Sequence, residues 1–359
     1  MKWLVTTMIW CTVGFMSPSI YASHESGEFS KEVMEDRIQS LSSDIDIQYT
    51  PQIEQLIKTH TTRGKKGSQI LLGKVNVYFP IIENEVYSKD LPEILKYIPV
   101  IESSLRPDVR SRAGAVGLWQ FMKSTAEMYD LEVNRMVDER KDPLKSTKAA
   151  TEYLQNLYEK FGDWTLAIAA YNCGPGNVRK AIRKSGSRDY WTMRKYLPRE
   201  TRKYIPKLIA AAYLLKYYHY HGLQPALIDT DLLSVGSTTV YQKIDFKELA
   251  NELDLELDVL TQLNAEYLKK YIPESDIGYN LDIPTSKLID FYKIYQPENV
   301  VEQETINHSL DLNNSETDAY VDQRRKKKLI IQNIQKLNLP DRIPSMEEVD
   351  LVHQEIAEN

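Results

Sequence analysis

Thiols are scarce in this chain: Cys11 and Cys173 are the only cysteines in 359 residues. If the N-terminal segment is removed, Cys173 stands alone and no intramolecular disulfide can form, so stability must come from core packing. Histidines are few and scattered (His24, His60, His219, His221, His308, His353), with no spacing that would gather a metal-ligand set. No internal repeat, P-loop or dinucleotide fingerprint is present. Positive charge is not in excess either. The net charge of -6 argues against general nucleic-acid binding, which favours a basic surface. Beyond the first 22 residues no run is long and apolar enough to span a membrane. What remains, 42% hydrophobic and 27% charged residues, suits one substantial globular domain and a smaller one.

The first 22 residues read as a secretory signal. Lys2 gives the positive start, Trp3 to Met16 the apolar core, and Ala22 a small residue at the cleavage point. An uncleaved anchor is the alternative, but the core is short for a span of about 20 residues. Trp10 is too bulky to precede a lipidated Cys11. Export is therefore expected.

The stretch from Ser88 to Met122 organises the rest. Ser88 or Asp90 can cap a helix with Pro92 in its first turn, and Leu91, Ile94, Leu95, Ile98 and Ile101 form an apolar stripe. Glu102 continues that stripe, with Pro99 a potential kink just before it. A carboxyl there is either a buried acid of raised pKa or a helix-end glutamate turned outward, and this stretch alone leaves both open. Ser111 to Gly117 is rich in small residues that let a ligand approach the backbone, and Leu118 to Met122 reads as the entry to another helix. Trp119 beside Gln120 offers a ring face and a directional amide, as a sugar site requires, although a lone tryptophan is more often core.

Further along, Asp142-Pro143 breaks the chain, and Ser146 can cap a helix running to Lys160 before Gly162. Asp163 caps the next, from Trp164 to about Tyr171, which stops at Gly174-Pro175-Gly176 and leaves Tyr171 and Asn172 facing a loop. Upstream, helices are expected near Phe29–Ile38 and Thr50–Lys58, a turn at Gly64–Gly67, and an apolar piece from Ile70 to Phe79 interrupted at Pro80. A last helix of this region runs from about Glu200 to His221.

Glu102-Ser103, Gly117-Leu118-Trp119-Gln120 and Ala170-Tyr171-Asn172-Cys173-Gly174-Pro175-Gly176 resemble, in order, the signature blocks of the lytic transglycosylases with a goose-type-lysozyme-like fold. The runs LPEILKYIPVIESSLRP and AGAVGLWQFM are most similar to the membrane-bound lytic murein transglycosylase D type. The resemblance implies a mainly α, lysozyme-like catalytic domain acting on peptidoglycan without a metal or cofactor. It implies Glu102 as acid and base, Ser111 and Gln120 holding sugar, Tyr171 and Asn172 lining the cleft, and Tyr204 hydrogen-bonded to the glutamate. Ser103 is expected to support the backbone at Glu102.

Val240 to Pro284 resembles a small α/β LysM module through Leu263-Asn264 and the closing Leu281–Pro284, but has Asp245-Phe246-Lys247 where that family carries Gly-Asp-Thr. Sugar binding and a purely structural role both stay open for it. The expected organisation is a signal (1–22), an N-terminal helical region (23–84), a catalytic domain (85–222), a linker (223–239), the LysM-like module (240–284) and a polar tail (285–359) carrying the basic run Arg324–Lys328. The expected partner is the glycan strand, with association with the outer membrane or other cell-wall enzymes open; the expected place is the periplasm. A hydrolytic muramidase on the same fold, or a non-catalytic glycan-binding protein, are the competing functions.

Overall fold

The computed structural model describes residues 30–296. The signal-like segment, most of the polar tail and its basic run lie outside them. The described chain is mainly helical, with four short strands near its C-terminal end. The described residues up to Lys287 form one compact unit, and a second begins at Leu288.

Two helices are the hub. Both α7 (Trp164–Cys173) and α10 (Tyr204–Tyr217) are apolar on nearly every side, which drives a helix into the interior rather than onto its surface. Leu166 to Ala170 and Leu208 to Leu214 are buried accordingly. Their alanines let neighbours come close. Helix α2 (Pro51–Thr61) packs along α10, and the amphipathic α6 (Pro143–Phe161) packs along α7. Side-chain caps set several starts: Ser30 for α1 (Lys31–Gln39), Thr50 for α2, Asp142 for α6 and Asp163 for α7 each accept a backbone N–H.

Several elements differ from expectation. Gly64 precedes α3 (Lys65–Ser88), and Gly67 lies within it. The turn therefore lies at residues 62–64, ending at Gly64 earlier than expected, and the helix continues through Pro80, so no break forms. Gly73 is needed on α3 because an added Cβ would lie 2.5 Å from the Ala226 carbonyl of the returning chain, whose N–H bonds Gln69 at 2.8 Å. The stretch before Glu102 is not one kinked helix. Asp90 sits at a φ of 51°, a 3-10 turn covers Glu93–Tyr97, and α4 (Ile98–Ser103) starts afresh. Pro99 thus falls in a first turn, where its missing N–H costs nothing. Leu118–Met122 forms turns, and α5 (Lys123–Glu127) begins after it. Asp142, not Ser146, caps α6; Ser146 is buried and bonds the Asp142 carbonyl. The helix expected from Glu200 starts instead as a 3-10 turn, Thr201–Lys203, before α10.

The C-terminal part of the first unit pairs β1 (Val235–Val240) with β4 (Tyr279–Pro284), and β2 (Ile244–Asp245) with β3 (Tyr271–Ile272), both antiparallel. Between them lie α11 (Phe246–Glu252) and α12 (Leu257–Leu263). Strand β1 therefore opens inside the stretch read as linker. Asp245 caps α11 by accepting from Lys247 and Glu248, a local job for the residue that departs from the family pattern. Fully buried Asn264 donates to the Leu260 and Asp282 carbonyls and accepts from the Asp282 N–H, tying the end of α12 to β4. Helix α13 (Thr285–Tyr295) follows; in the second unit, Phe291 stacks on Tyr295 with ring centres 5.0 Å apart.

This small module packs directly on residues 132–145. Asp138 N–H donates to the Glu266 carbonyl at 2.9 Å, Leu268 N–H to that of Met136 at 2.9 Å, and the Tyr279 hydroxyl to Glu132. The seam holds an imbalance. Buried Glu266 faces Asp142 and Asp282, with Lys145 the cation acting on all three, and Lys145 is itself bonded to Glu139. Among the described residues no hydrogen bond reaches Glu266 Oε2. Burial and then the neighbouring Asp142 charge push Glu266 well above the usual carboxyl range. Burial likewise takes Asp142 up to about 6 and raises Asp282. With folded pKa values above the unfolded ones, the folded state holds extra protons, so stability is greatest at low pH and falls as pH rises through about 4 to 6 and beyond. The unit should melt higher at pH 5 than at pH 8. Glu266→Gln should raise the pH 8 melting temperature on the order of 5 °C and flatten the pH dependence. A calorimetric series with parallel curves for both proteins would contradict the assignment.

Candidate active site

Glu102 occupies the last turn of α4. The chain reverses immediately after it through two left-handed residues, Ser104 (φ 54°) and Leu105 (φ 53°). A buried leucine in that region is a strained position, of order 1–3 kcal/mol, held by the surrounding packing. Ser103 ties the reversal down: its hydroxyl donates to the Pro99 carbonyl (3.0 Å) and accepts from Arg106 N–H (3.2 Å). The Glu102 side chain is half-buried, and Tyr204, first residue of α10, donates its hydroxyl to the carboxyl at 2.5 Å. Burial pushes Glu102 up to about 7, opposed by the Tyr204 bond; Glu200 adds a further push upward and Lys207 a pull downward. The carboxyl is thus protonated in a sizeable fraction at neutral pH. The side chain thus turns inward onto Tyr204 and not outward from the helix end.

The loop from Val109 to Phe121 is a tight double turn. Ser111 Oγ accepts from Ala115 N–H, and the Ser111 N–H donates to the Ala115 carbonyl. Gly117 (φ 87°) presses on the Arg140 carbonyl so closely that a Cβ would sit 1.7 Å from it. Gln120 adopts φ 52° and donates its amide to the Gly117 (2.9 Å) and Val109 (3.3 Å) carbonyls. The amide oxygen is then the group available to accept from a sugar hydroxyl. Trp119 is fully buried and donates to Thr147 Oγ1 at 2.9 Å, so it is an anchor of the loop and not a platform.

Three hydrogen bonds join the separated blocks. Tyr204 reaches Glu102; the Tyr171 hydroxyl donates to the Trp119 carbonyl at 2.8 Å; and Thr201 Oγ1 donates to Asn172 Oδ1 at 2.7 Å. Tyr171 feels the Glu102 charge, and its hydroxyl, like that of Tyr204, is pushed well above its ordinary range by burial. Phe121 and Tyr153 pack on Tyr171, and Tyr129 packs on Tyr153, extending an aromatic wall. Ser111 makes its bonds within its own turn and to none of the other site residues. Cys173 carries a thiol raised by burial, which disfavours a thiolate.

Thr201 and Arg140 escaped the sequence reading. Arg140 is buried, forks onto Asp138 through two 2.7 Å bonds and donates to the Gly114 and Phe121 carbonyls, clamping both arms of the loop. Nothing in its local sequence marks it. Thr201 does carry a signal, lying three residues before Tyr204 in the run Glu200–Tyr204.

Similarity to known proteins follows the same blocks. Residues 79–194 match the Transglycosylase SLT domain, so the site just described sits on a domain of that class, with Tyr204 beyond the matched span. Residues 235–298 match the LysM-like domain of the lytic transglycosylase MltD type, and the chain thus carries both in that order. Over 193 residues it is 33% identical to the membrane-bound lytic murein transglycosylase D of Escherichia coli K12, covering 52% of this chain and 42% of that protein. It is also 33% identical over 165 residues to the soluble lytic murein transglycosylase of Salmonella typhimurium, covering 42% of this chain and 25% of that one. The solved 70 kDa soluble lytic transglycosylase of E. coli shares 30% identity, with a TM-score of 0.35 over 43% of this chain and 26% of that one. The chain spans well under two thirds of the length of these relatives.

Thr201 has a testable role as a positioning residue. Its hydroxyl donates, so the Asn172 atom facing it is the oxygen and the amide nitrogen turns away. Thr201→Val keeps the shape and removes that donor. Turnover should fall roughly tenfold, the worth of about one buried hydrogen bond, while Thr201→Ser restores it. Unchanged turnover in the valine variant would rule the role out.

Proposed function

We propose that this chain is a peptidoglycan lytic transglycosylase, cleaving the β-1,4 bond from N-acetylmuramic acid to N-acetylglucosamine and leaving a 1,6-anhydro end. The observation that carries the proposal is one half-buried carboxyl with a pKa near 7, gripped by a buried tyrosine at the junction of all the signature blocks. Glu102 donates its proton to the bridging oxygen as the bond to C1 breaks. The carboxylate so formed then takes the proton of the muramoyl 6-hydroxyl, whose oxygen closes on C1. The proton count balances with no water consumed. Tyr204 stabilises the carboxylate between the two transfers, and burial returns it to the acid form. The substrate's N-acetyl group shares the developing positive charge, held by neighbouring polar groups, a role this reading gives to Asn172 and Gln120.

The muramidase reading keeps one foothold. Glu200 is exposed on the turn before α10, yet its charge is felt at Glu102, and a hydrolase would need such a second carboxylate to work on water. Product mass separates the two. Anhydro products are one water lighter than reducing ends, and reducing ends would shift the assignment to hydrolysis. Export to the periplasm and retention on the wall by the LysM-like module complete the proposal. No described helix is long and apolar enough to cross a membrane.

Two measurements test the acid. Glu102→Gln keeps the size but carries no transferable proton, so the rate on isolated sacculi should drop at least ~100-fold with glycan binding retained. Near wild-type cleavage would remove Glu102 from the mechanism. For the wild type, the protonated form is lost above about pH 7, so kcat/KM should fall about tenfold per pH unit on the alkaline side. A profile flat from pH 6 to 9 would contradict an acid of that pKa.

A further inference from the structure

Between residues 175 and 207 the chain holds eleven lysines and arginines against two acids, Asp189 and Glu200, in a protein whose net charge is -6. The concentration is densest on α8 (Pro175–Ser185). That helix buries Val178 and Ala181 and exposes Arg179, Lys180, Arg183 and Lys184. Like charges four residues apart repel by a few tenths of a kcal/mol each, so the helix alone gains nothing from this pattern. Elsewhere in the described chain, cations such as Lys58, Lys96, Arg140 and Lys145 sit in salt bridges. Among the described residues none of these eleven does.

The lobe adjoins the cleft at both its ends. Helix α8 starts at Pro175, directly after the turn that follows Tyr171 and Asn172. At the other end, Lys207 lies one helical turn past Tyr204, and its charge reaches Glu102. Short 3-10 and helical segments between them pack on α8 and on each other, so this is one surface. A glycan lying in the cleft would carry its substituents past it. A glycan stripped of peptide keeps only the one carboxylate of each muramic acid, held close to the sugar ring and too few for eleven cations. The peptide branches of peptidoglycan, borne on alternate sugars, carry further free carboxylates outward from the strand to where the lobe lies.

We infer that this basic lobe binds the carboxylate-bearing peptide branches of the substrate and makes the enzyme prefer peptide-substituted glycan to stripped glycan. The inference rests on the transglycosylase reading. Charge at the rim of a site acts mainly on association, so the preference appears in kcat/KM at low salt and fades as salt shortens the Debye length.

The test compares the full chain with a combined Arg179→Gln, Lys180→Gln, Arg183→Gln, Lys184→Gln variant. The substrates are peptide-bearing strands and the same strands freed of peptide by an amidase. At low salt the wild type should be roughly tenfold faster on the peptide-bearing strands. That advantage should vanish in about 0.5 M salt and in the variant, whose rate on stripped strands stays at the wild-type value. An unaltered preference in the variant, or equal loss on both substrates with an unchanged melting temperature, would overturn the inference. So would loss of binding to phosphatidylglycerol vesicles with both glycan rates intact, which would assign the lobe to an anionic membrane. Co-sedimentation with both kinds of strand at low salt runs alongside. Anhydro product from neither substrate would sink the transglycosylase reading, while the binding arm still decides whether the lobe holds the peptides.

Discussion

The contact between the Tyr204 hydroxyl and the Glu102 carboxyl joins residues 102 positions apart and constrains the elements that enclose it. A carboxyl raised from 4.5 to about 7 disfavours its ionised form by about 3 kcal/mol relative to water. Keeping water scarce around it takes an enclosing wall, which α7, α10 and the Val109–Phe121 loop supply. Tyr204 in turn needs α10 to enter the core at its first residue. The helix manages this because it buries residues on nearly every side, Ile205, Leu208 and Ile209 among them, and Ala210 to Ala212 allow close packing. Its apolar sequence is therefore as much a requirement of the candidate acid as of the fold.

Backbone strain gathers around the same point. Ser104, Leu105 and Gln120 all take positive φ without being glycine, and Gly117 tolerates a contact no side chain could. Such conformations persist only when neighbours over-determine them. Here the neighbours are specific: Ser103 bonds across the reversal behind Glu102, and the Arg140–Asp138 pair closes the two arms of the loop. The rigidity of this region is provided by side chains that are themselves buried.

Much of this was legible in the sequence, and for identifiable reasons. The helix starts at Lys31, Pro51 and Trp164 follow from short polar caps and apolar periodicity, which are local signals. Glu102, Tyr171 and Asn172 could be picked out because they lie in blocks that resemble a known family's signature, and Tyr204 only through a one-residue match within Glu200–Tyr204. The break before Glu102 was not legible, since Leu91 to Ile101 keeps helical spacing through a 3-10 turn that only the positive φ at Asp90 reveals. Pro80 misled in the opposite direction, because a long helix buried along one face can absorb a missing hydrogen bond. Arg140 reaches the Gly114 carbonyl 26 residues away, a distance no local pattern encodes, and Thr201, 29 residues from Asn172, is marked only by its nearness to Tyr204. The carboxyl cluster at the small module was hidden for the same reason: Asp142, Glu266 and Asp282 meet only in the folded chain.

Arg140 and Asp138 also place two distant parts of the molecule in mechanical series. One end of the pair holds the carbonyls of Gly114 and Phe121; at the other, the Asp138 N–H holds the Glu266 carbonyl of the LysM-like module. Few soft joints intervene, since both side chains are buried and the fork between them is bidentate. A pull on the module would load the Gly114–Phe121 loop as well as the chain that leads back to α10. A chain fastened to a meshwork under tension would then carry that tension through the walls of its own cleft.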